Sequence, residues 1–476
     1  MSEIKVNKVT PRSGTTVTLG DGAGEAVTVD AATVTLGRCG GTVALACGAT
    51  STGFGVTGIT WCTTAKTAAF CAAAGSGYLV NTTSTAFTAT LPASPTVGDQ
   101  ISFVDFAGTF DCNALTVGAN SKKIKGSTCD ALVEADRGAI TIIYTGTTQG
   151  WITTSQANAA SMSQESFIAA TGGNTTITDG NYKIHVFTGT GNLCISAVGN
   201  AAGSDTLDYL IVGGGGGGGD GTSNSGGGAG AGGYREGSPP SGGYTKSPIA
   251  AATGISASVG CLAVTVGGAG SGGPCSGGAG TAGGVSTYST ITSAGGGIGG
   301  YNNLSGGTGG SGGGGSNFGA GGAGNVPCVS PAQGNPGSNY PCGPSSNSGG
   351  GGGGGAKCAA PPNPSGAPPI GGVGGEGSNI GGDFFGPTSP SYGTPGPSPT
   401  SRYFAGGGGG VGYAGTGTVG TGGAGGGGPG GPTSPGVGQA GTTNTGGGGG
   451  GGRGGGYTDN GGNGGSGFVA IRYKFQ

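Results

Sequence analysis

Charged side chains make up only 8% of the 476 residues, with 17 basic and 19 acidic groups and a net charge of −2. So thin a distribution leaves no basic stripe to neutralise phosphates or an anionic membrane surface, which argues against nucleic acid and membrane lipid as partners. Histidine is almost missing: His185 stands alone, so a histidine base or a His/Cys metal cluster has little to build on. No stretch of about 18 apolar residues is present to span a bilayer, and the opening MSEIKVNKVTPRSG lacks the apolar centre of a signal peptide. Synthesis as a soluble cytoplasmic product, without membrane insertion, is expected. Helical periodicity of useful length is also missing. The cysteines (Cys39, Cys47, Cys62, Cys71, Cys112, Cys129, Cys194, Cys261, Cys275, Cys328, Cys342, Cys358) are scattered singly, with no C-x-x-C pair, and most are expected to be small, buried and reduced.

Glycine is what the chain has instead: 129 residues, beside 25 prolines. Such a level normally marks disorder, but the charge and hydration that keep disordered chains expanded are weak here. Collagen is excluded because its glycine falls at every third position, a register broken by runs such as 213–219. The runs 213–219, 226–233, 267–284, 295–300, 306–315, 349–355, 406–412, 420–431 and 446–456 alternate with pieces rich in proline, serine and asparagine. Ordering glycine carries the largest backbone entropy cost, so a fold that uses this much of it needs residues without a Cβ. Extended helices of polyproline-II type have that need when they pack side by side, joined by N–H···O and Cα–H···O contacts. At about 3.1 Å per residue a seven-residue run spans about 22 Å. The intervening pieces then become loops gathered at the ends of a bundle.

The length suits two to four domains. Residues 1–74 hold few large apolar groups and are expected to fold against a partner chain. Residues 75–155 read as a small antiparallel β-sandwich, with strands at 77–82, 87–91, 100–105, 114–117, 131–134, 139–145 and 151–154 separated by turn residues. SQANAASMSQES reads as a linker, 156–165. A β-unit follows at 166–212, with strands at 167–170, 182–188, 193–198 and 207–212. Alternation within it puts Tyr182, Ile184 and Val186 on one face and His185 on the other, towards solvent. DYLIV enters the first glycine run and FVAIRYKF leaves the last, so 213–467 is expected to be one excursion from a sheet closed by strand 468–476.

Two stretches resemble modules of bacteriophage structural proteins. GYLVNTTSTAFTATLPASPTVGDQISFVDFAGTFDCNALTV, followed by GAITIIYTGTTQGWITT, is similar to a β-module of tail-fibre-like proteins, LPASP-x-x-GD and the GW ending being its most specific parts. SFIAATGG and YKIHVFTGTG through DYLIVGGGGGGG, VTVGGAGSGG and RYFAGGGGG to GGSGFVAIRYKF resembles the glycine-rich terminal domain of phage tail fibres and adhesins, over most of 166–476. The resemblance implies a fibre or adhesin, trimeric in many relatives, that meets its receptor through loops of the glycine-rich domain. The proline- and aromatic-rich stretch between Asn325 and Phe404 looks like an insertion, where specificity is expected.

Sugar recognition pairs aromatic faces with orienting polar groups, and the loops offer Tyr340, Phe384, Phe385, Tyr392, Arg402, Tyr403 and Phe404. The competing expectation is that such aromatics plug gaps around a bundle with no core of its own. Gly309-Gly310-Ser311-Gly312-Gly313 fits G-x-S-x-G, but a glycine- and serine-rich chain produces that by chance, and the strand–turn–helix context and histidine partner are lacking. Gly215 to Asp220 fits the start of a calcium nonapeptide without the tandem copies it needs. Acidic residues gather only at Asp130, Glu134 and Asp136, too few for a glycosidase cleft. The chain is thus expected to be an all-β phage virion protein, an elongated homotrimer of β-sandwich modules and a polyglycine-II-like bundle, without cofactor or catalysis. Its expected partners are its own copies, tail or baseplate proteins at 1–74, and a host surface polysaccharide or outer-membrane component. A head fibre or capsid decoration protein and a non-viral glycine-rich structural protein are the alternatives.

Overall fold

The computed structural model describes residues 59–157, 162–164, 166–200, 203–221, 225–239, 243–339, 349–363, 369–412, 418–432, 436–454 and 459–476. The chain divides into Met1–Ile59 and Thr60–Gln476; residues 1–58, most of the stretch expected to serve for attachment, lie outside the described residues. Helical structure among the described residues is confined to two 3-10 pieces, Gly382–Phe384 and Gly386–Ser391. The fold is all-β.

The first module contains β1 (Thr60–Lys66), β2 (Phe70–Cys71), β3 (Ser76–Val80), β4 (Phe87–Thr90), β5 (Gln100–Asp105), β6 (Leu115–Gly118), β7 (Ala131–Val133), β8 (Ala139–Tyr144), β9 (Trp151–Ala157) and β10 (Met162–Gln164). They form two sheets, β1-β3-β5-β8-β9 and β10-β7-β6-β4-β2. Up to β6 the chain lays each strand in the sheet opposite the last, so β1, β3 and β5 run parallel, as do β2, β4 and β6. A strand of the facing sheet thereby supplies the crossover that a parallel pair requires. Antiparallel pairs complete the sheets from β7 onwards. Alternation decides which side chains go inside: Ile140, Ile142 and Tyr144 are buried and the residues between them are half-exposed. They pack with Val80, Phe103, Leu115, Val117 and Trp151 between the sheets, where burying a ring such as that of Phe103 stabilises by about 1.5–3 kcal/mol. Asp105 ends β5 and accepts the amides of Gly108, Thr109 and Arg137, tying two turns to one carboxylate. The module extends beyond 75–155 at both ends, because β1 and β2 precede it and Met162, in the stretch read as a linker, is buried in its core. The short or polar sequences of these edge strands carry little apolar signal.

The second module contains β11 (Ala169–Gly172), β12 (Thr175–Asp179), β13 (Tyr182–Phe187), β14 (Gly191–Ala197), β15 (Thr206–Val212), β16 (Tyr234–Gly237), β17 (Ile255–Ser256), β18 (Gly260–Thr265), β19 (Ser286–Tyr288), β20 (Ile291–Ser293), β21 (Ser378–Gly381), β22 (Ser401–Phe404) and β23 (Phe468–Lys474). One sheet has the order β11-β14-β18-β19-β20. The other has β12-β13-β23-β15-β16, with β17 on β15, and β21–β22 is a separate hairpin. The strand entering the glycine region and the strand leaving it do pair, Val212 opposite Phe468 and Asp208 opposite Arg472. Strands within 166–212 are completed from beyond it: β23 lies between β13 and β15, and β14 pairs with β18.

The sheet containing β23 is covered on both faces. Phe187, Tyr209, Ile211, Val469, Ile471 and Tyr473 pack against Leu193, Ile195, Val264 and Tyr288 of the neighbouring sheet. On the other face Ile184, Val186, Leu210, Val212, Phe468 and Ala470 meet Phe384, Phe385 and Phe404 of the insertion. Burial on both sides is why β15 and β23 read as continuous apolar runs. It also corrects the expectation for His185, which is 1% exposed, with Nδ1 2.7 Å from the Gly172 carbonyl oxygen and Nε2 3.1 Å from the Tyr473 hydroxyl. Alternation separates the two faces of β13, but neither face is wet.

Cysteine usage is corrected as well. Cys194 and Cys261, opposite each other on β14 and β18, form a disulfide across a sequence separation of 67. Cys62, Cys71, Cys112, Cys129, Cys328 and Cys358 are free thiols, exposed or half-exposed, and Cys275 is half-exposed. Cys39, Cys47 and Cys342 lie outside the described residues.

The glycine runs pack as threefold extended helices of polyglycine-II type. In run 213–219 the N–H groups of Gly213, Gly216 and Gly219 donate to Gly233, Gly230 and Gly227, those of Gly214 and Gly217 to Gly284 and Thr281, and those of Gly215 and Gly218 to Gly465 and Gly462. Its carbonyls turn to three other runs: Gly214 and Gly217 accept from Gly296 and Gly299, Gly215 and Gly218 from Gly270 and Gly273, Gly216 and Gly219 from Gly449 and Gly452. A repeat of three in both patterns is the signature of three residues per turn. The accepting runs are antiparallel to 213–219 and the donating runs parallel to it, which is hexagonal packing with the backbone polar groups satisfied. Runs 226–233, 311–316, 405–411 and 446–453 are enclosed in the same way. A Cβ on Gly217 would collide with the Ser271 carbonyl, one on Gly218 with that of Gly450, and one on Gly230 with that of Ser311. Gly268, at the outside, has nothing within 4 Å of that position.

Candidate recognition surface at the far end of the glycine bundle

The aromatics singled out in the insertion lie inside. Phe384, Phe385 and Phe404 are 0% exposed and Tyr403 is 2% exposed. Phe384, Phe385 and Phe404 pack with Phe468 of β23, the rings of Phe404 and Phe468 stacked at 5.2 Å between centroids, and none of the four buried aromatics can meet a receptor from where it stands. The glycine runs offer no side chains to cover the sheet, and the insertion supplies them. Tyr392 is half-buried against Phe385. Arg402 is also half-buried, its guanidinium donating to the carbonyls of Tyr392, Pro390 and Gly393, which holds the loop ahead of β22. Tyr340 lies outside the described residues.

Polar groups collect beneath the same insertion. Arg472 Nη1 donates to Asp208 Oδ2 at 2.9 Å, and its guanidinium lies 3.6 Å from the centroid of the Tyr182 ring. Glu236 accepts from the Tyr234 hydroxyl at 2.6 Å and from the Ser247 amide. Burial pushes the carboxyl pKa of Asp208 and of Glu236 up, opposed at Asp208 by the Ser238 hydroxyl and by Arg472 and at Glu236 by the Tyr234 and Ser247 hydroxyls. The partners come from the sheet and from Ser238 and Ser247, so the cluster ties those two residues to the sheet. Ser311, the serine of the G-x-S-x-G match, is buried in an enclosed run. Asp220 is also buried and accepts the Gly277 amide with its carboxylate. Among the described residues no group of three or more His, Cys, Asp or Glu is gathered to hold a metal, and no helix is long and apolar enough to cross a membrane.

The other end of the bundle is differently made. β15 and β23 fix one end of the runs at the sheet. The opposite end is marked by Gly219, Gly227, Gly300, Gly314 and Gly452, linked at one level by hydrogen bonds. Two connections there carry exposed side chains. Tyr301, Asn302, Asn303 and Leu304 form a turn closed by the Leu304 amide on the Tyr301 carbonyl at 2.8 Å, with φ of 43° at Asn302 and 68° at Asn303, the left-handed pair for which asparagine is favoured. The next connection holds Phe318 at φ 62°. The Ser316 amide donates to the Leu304 carbonyl and Asn317 Nδ2 to Asn303 Oδ1 at 2.9 Å, so the two connections lie side by side. Leu304 is 50% and Phe318 68% exposed. Asn302 and Asn303 are exposed beside the half-buried Tyr301. A non-glycine residue in the left-handed region costs about 1–2 kcal/mol, a strain that the backbone of Phe318 carries. These residues were passed over in the sequence, where the available signal was Tyr-Asn-Asn-Leu and Asn-Phe interrupting two adjacent glycine runs.

A family model described as a glycine-rich domain matches residues 195–474, from within β14 to the end of β23 and more than half of the chain. The chain belongs to this glycine-rich domain family. The matched residues take in the glycine excursion with the two strands that close it, β15 and β23, while β12 and β13 of the same sheet precede the match. No curated protein matches the sequence at a significant level.

Proposed function

We propose that the chain is a structural protein of a phage virion, a tail fibre that adheres to a host-cell surface receptor through the loops at the far end of its glycine-rich domain, and that it acts by binding. The observation behind this reading is the bundle itself. Its enclosed runs spend their amides and carbonyls on one another, so it is a stiff support, about 22 Å long for a seven-residue run, on which connections can vary without disturbing the frame. The resemblance of the β-module and of the glycine-rich domain to tail fibres and adhesins supports the phage assignment. Assembly as a homotrimer, attached to tail or baseplate proteins through 1–74, would multiply weak sugar or outer-membrane contacts by effective concentration.

Cutting the chain after Val212 is unsuitable as a test, since it removes β23 from between β13 and β15. The full chain, fluorescently labelled, is applied to a panel of bacterial strains and in parallel gold-labelled antibody against it is applied to virions. Binding to a strain, with competition against virion adsorption and gold at the tail, is the expected result. Absence of binding across strains that the virions infect, or gold confined to the head, overturns the reading.

A further inference from the structure

We infer that the Cys194–Cys261 bridge is a redox lock on the glycine-rich domain, opened by a small external thiol and closed by the corresponding disulfide while the fold stays intact. Alternation puts the pair on the outer face of its sheet. Leu193 and Ile195 of β14 and Val264 of β18 are buried towards the sheet of β23, so Cys194 and Cys261, opposite each other in register, point away from it. Cys261 is exposed and Cys194 half-exposed. Thr171 of β11 flanks Cys194 on its other side, and Asn192 and Ala263 form the next pair on the same face. Strands β11, β14 and β18 carry no charged residue, so an anionic thiol such as glutathione meets no carboxylate on them. Access of this kind governs exchange at a disulfide sulfur.

The exchange is a two-electron step. An external thiolate attacks the Cys261 sulfur, the S–S bond breaks, and Cys194 leaves as a thiolate that takes a proton from water. A second external thiolate attacks the outer sulfur of the mixed disulfide, so Cys261 is freed as a thiol and the two external thiols leave oxidised as their disulfide. Closing is the reverse, with the external disulfide as oxidant. The strands do not depend on the bond to stay together: the ladder from Gly191–Val264 to Ile195–Gly260 and the core contacts of Leu193, Ile195 and Val264 remain. What the bond adds is a constraint on the unfolded chain. It ties β14 to β18 across a sequence separation of 67, and the loop so closed contains runs 213–219 and 226–233 of the bundle. Cys62, Cys71, Cys112 and Cys129 of the sandwich are free thiols, so that module serves as an internal reference. A chain made in a reducing cytoplasm and released into an oxidising medium would fold with the lock open and be stabilised afterwards.

The test uses the full chain and its variant carrying Cys194→Ser and Cys261→Ser. Native protein is held in millimolar glutathione, reduced or oxidised, then alkylated, mapped by mass spectrometry and melted. Reduced glutathione is expected to open both cysteines to alkylation with the circular dichroism spectrum unchanged, and to lower the melting temperature of the glycine-rich domain by about 5–15 °C. Oxidised glutathione restores the bridge and the higher melting temperature, while amide exchange at Ile140 and Ile142 of the sandwich is the same in either state. The double variant melts at the lower temperature whichever form is present. Alkylation of Cys194 and Cys261 only in denaturant, or no bridge between them after oxidised glutathione, overturns the inference. Opening without a fall in melting temperature also overturns it, as does an equal fall in the double variant, which would assign the effect to the other thiols.

Discussion

In the β-sandwich, Phe103, Ile140 and Trp151 fill the space between two sheets with side chains; around Gly217 in the bundle, the same task falls to the backbone of Ser271 and Gly272. The sandwich is stabilised by taking apolar area out of water. The bundle has almost none to bury and relies on hydrogen bonds, each contributing about 0.5–1.5 kcal/mol net, against about 1–2 kcal/mol to order each residue's backbone. Hydrogen bonds alone therefore do not hold the runs. The deficit must be met where the bundle meets its sheet, and that is where the insertion buries Phe384, Phe385 and Phe404 against Phe468 and Leu210. A backbone core is specific in shape and weak in energy, and it depends on an apolar clamp at one end.

The largest expected effect tests that dependence. Phe385→Ala should destabilise the glycine-rich domain by about 3–5 kcal/mol, and native-state amide exchange should show protection falling at Ala229 and Gly449, whose amides donate to other glycine runs, while Phe103 and its neighbours in the sandwich are unaffected. Protection that persists in the runs would mean that the bundle is stable by itself. Next, Gly217→Ala adds one methyl group where only backbone can give way, and a loss of about 3 kcal/mol in denaturant unfolding is expected; a loss near zero would show that the runs move apart easily.

His185 gives a pH test confined to the sheet. Burial holds its imidazole pKa below the usual value, with Lys183 adding to the effect. As pH falls through the ordinary histidine range the unfolded chain takes up a proton that the folded chain refuses, so stability is full above that range and declines below it. Asp208 and Glu236, whose carboxyl pKa values are raised by burial, work in the opposite sense: their contribution is present at low pH and lost as pH rises through their folded values. Comparison with His185→Gln isolates the histidine. The variant should lose the part of the decline between about pH 7 and pH 5, and an unchanged slope would show that the imidazole is protonated in the fold. The smallest effect has the opposite sign to Gly217→Ala. Gly268→Ala, with open space at its Cβ, should stabilise by about 0.4–1 kcal/mol by restricting the unfolded chain, and a clear loss would mean that the outer side of run 267–273 is covered.

Much of the strand layout is legible in the sequence. The stretch 100–105 is β5, 139–145 contains β8, and 468–475 contains β23, because β-branched and aromatic runs bounded by turn residues leave few alternatives. β1, β2, β10, β21 and β22 were not legible: they are short, or built from Thr, Ser, Gly and Cys, and become strands only because a partner edge is waiting. Among the candidate site residues, Phe384, Phe385, Tyr403 and Phe404 were visible as aromatics in a loop region, yet composition does not say which side of a loop faces water. Leu304 and Phe318 were hidden for the converse reason, each being a lone large residue among glycines.

What the sequence determined by itself is the kind of structure. Sparse charge, no helical period, β-branched runs and glycine without a collagen repeat leave strands and close-packed extended helices as the forms available, and DYLIV and FVAIRYKF on either side of the glycine region announce their own pairing. Which glycine run lies beside which, which cysteines meet, whether His185 is wet, and which aromatics clamp the sheet were decided only in three dimensions. Glycine runs are nearly identical to one another in sequence, so their order in the bundle is set by where the loops and the closing sheet hold their ends. A side chain's exposure depends on what covers its face, and that cover comes from residues far away in the chain.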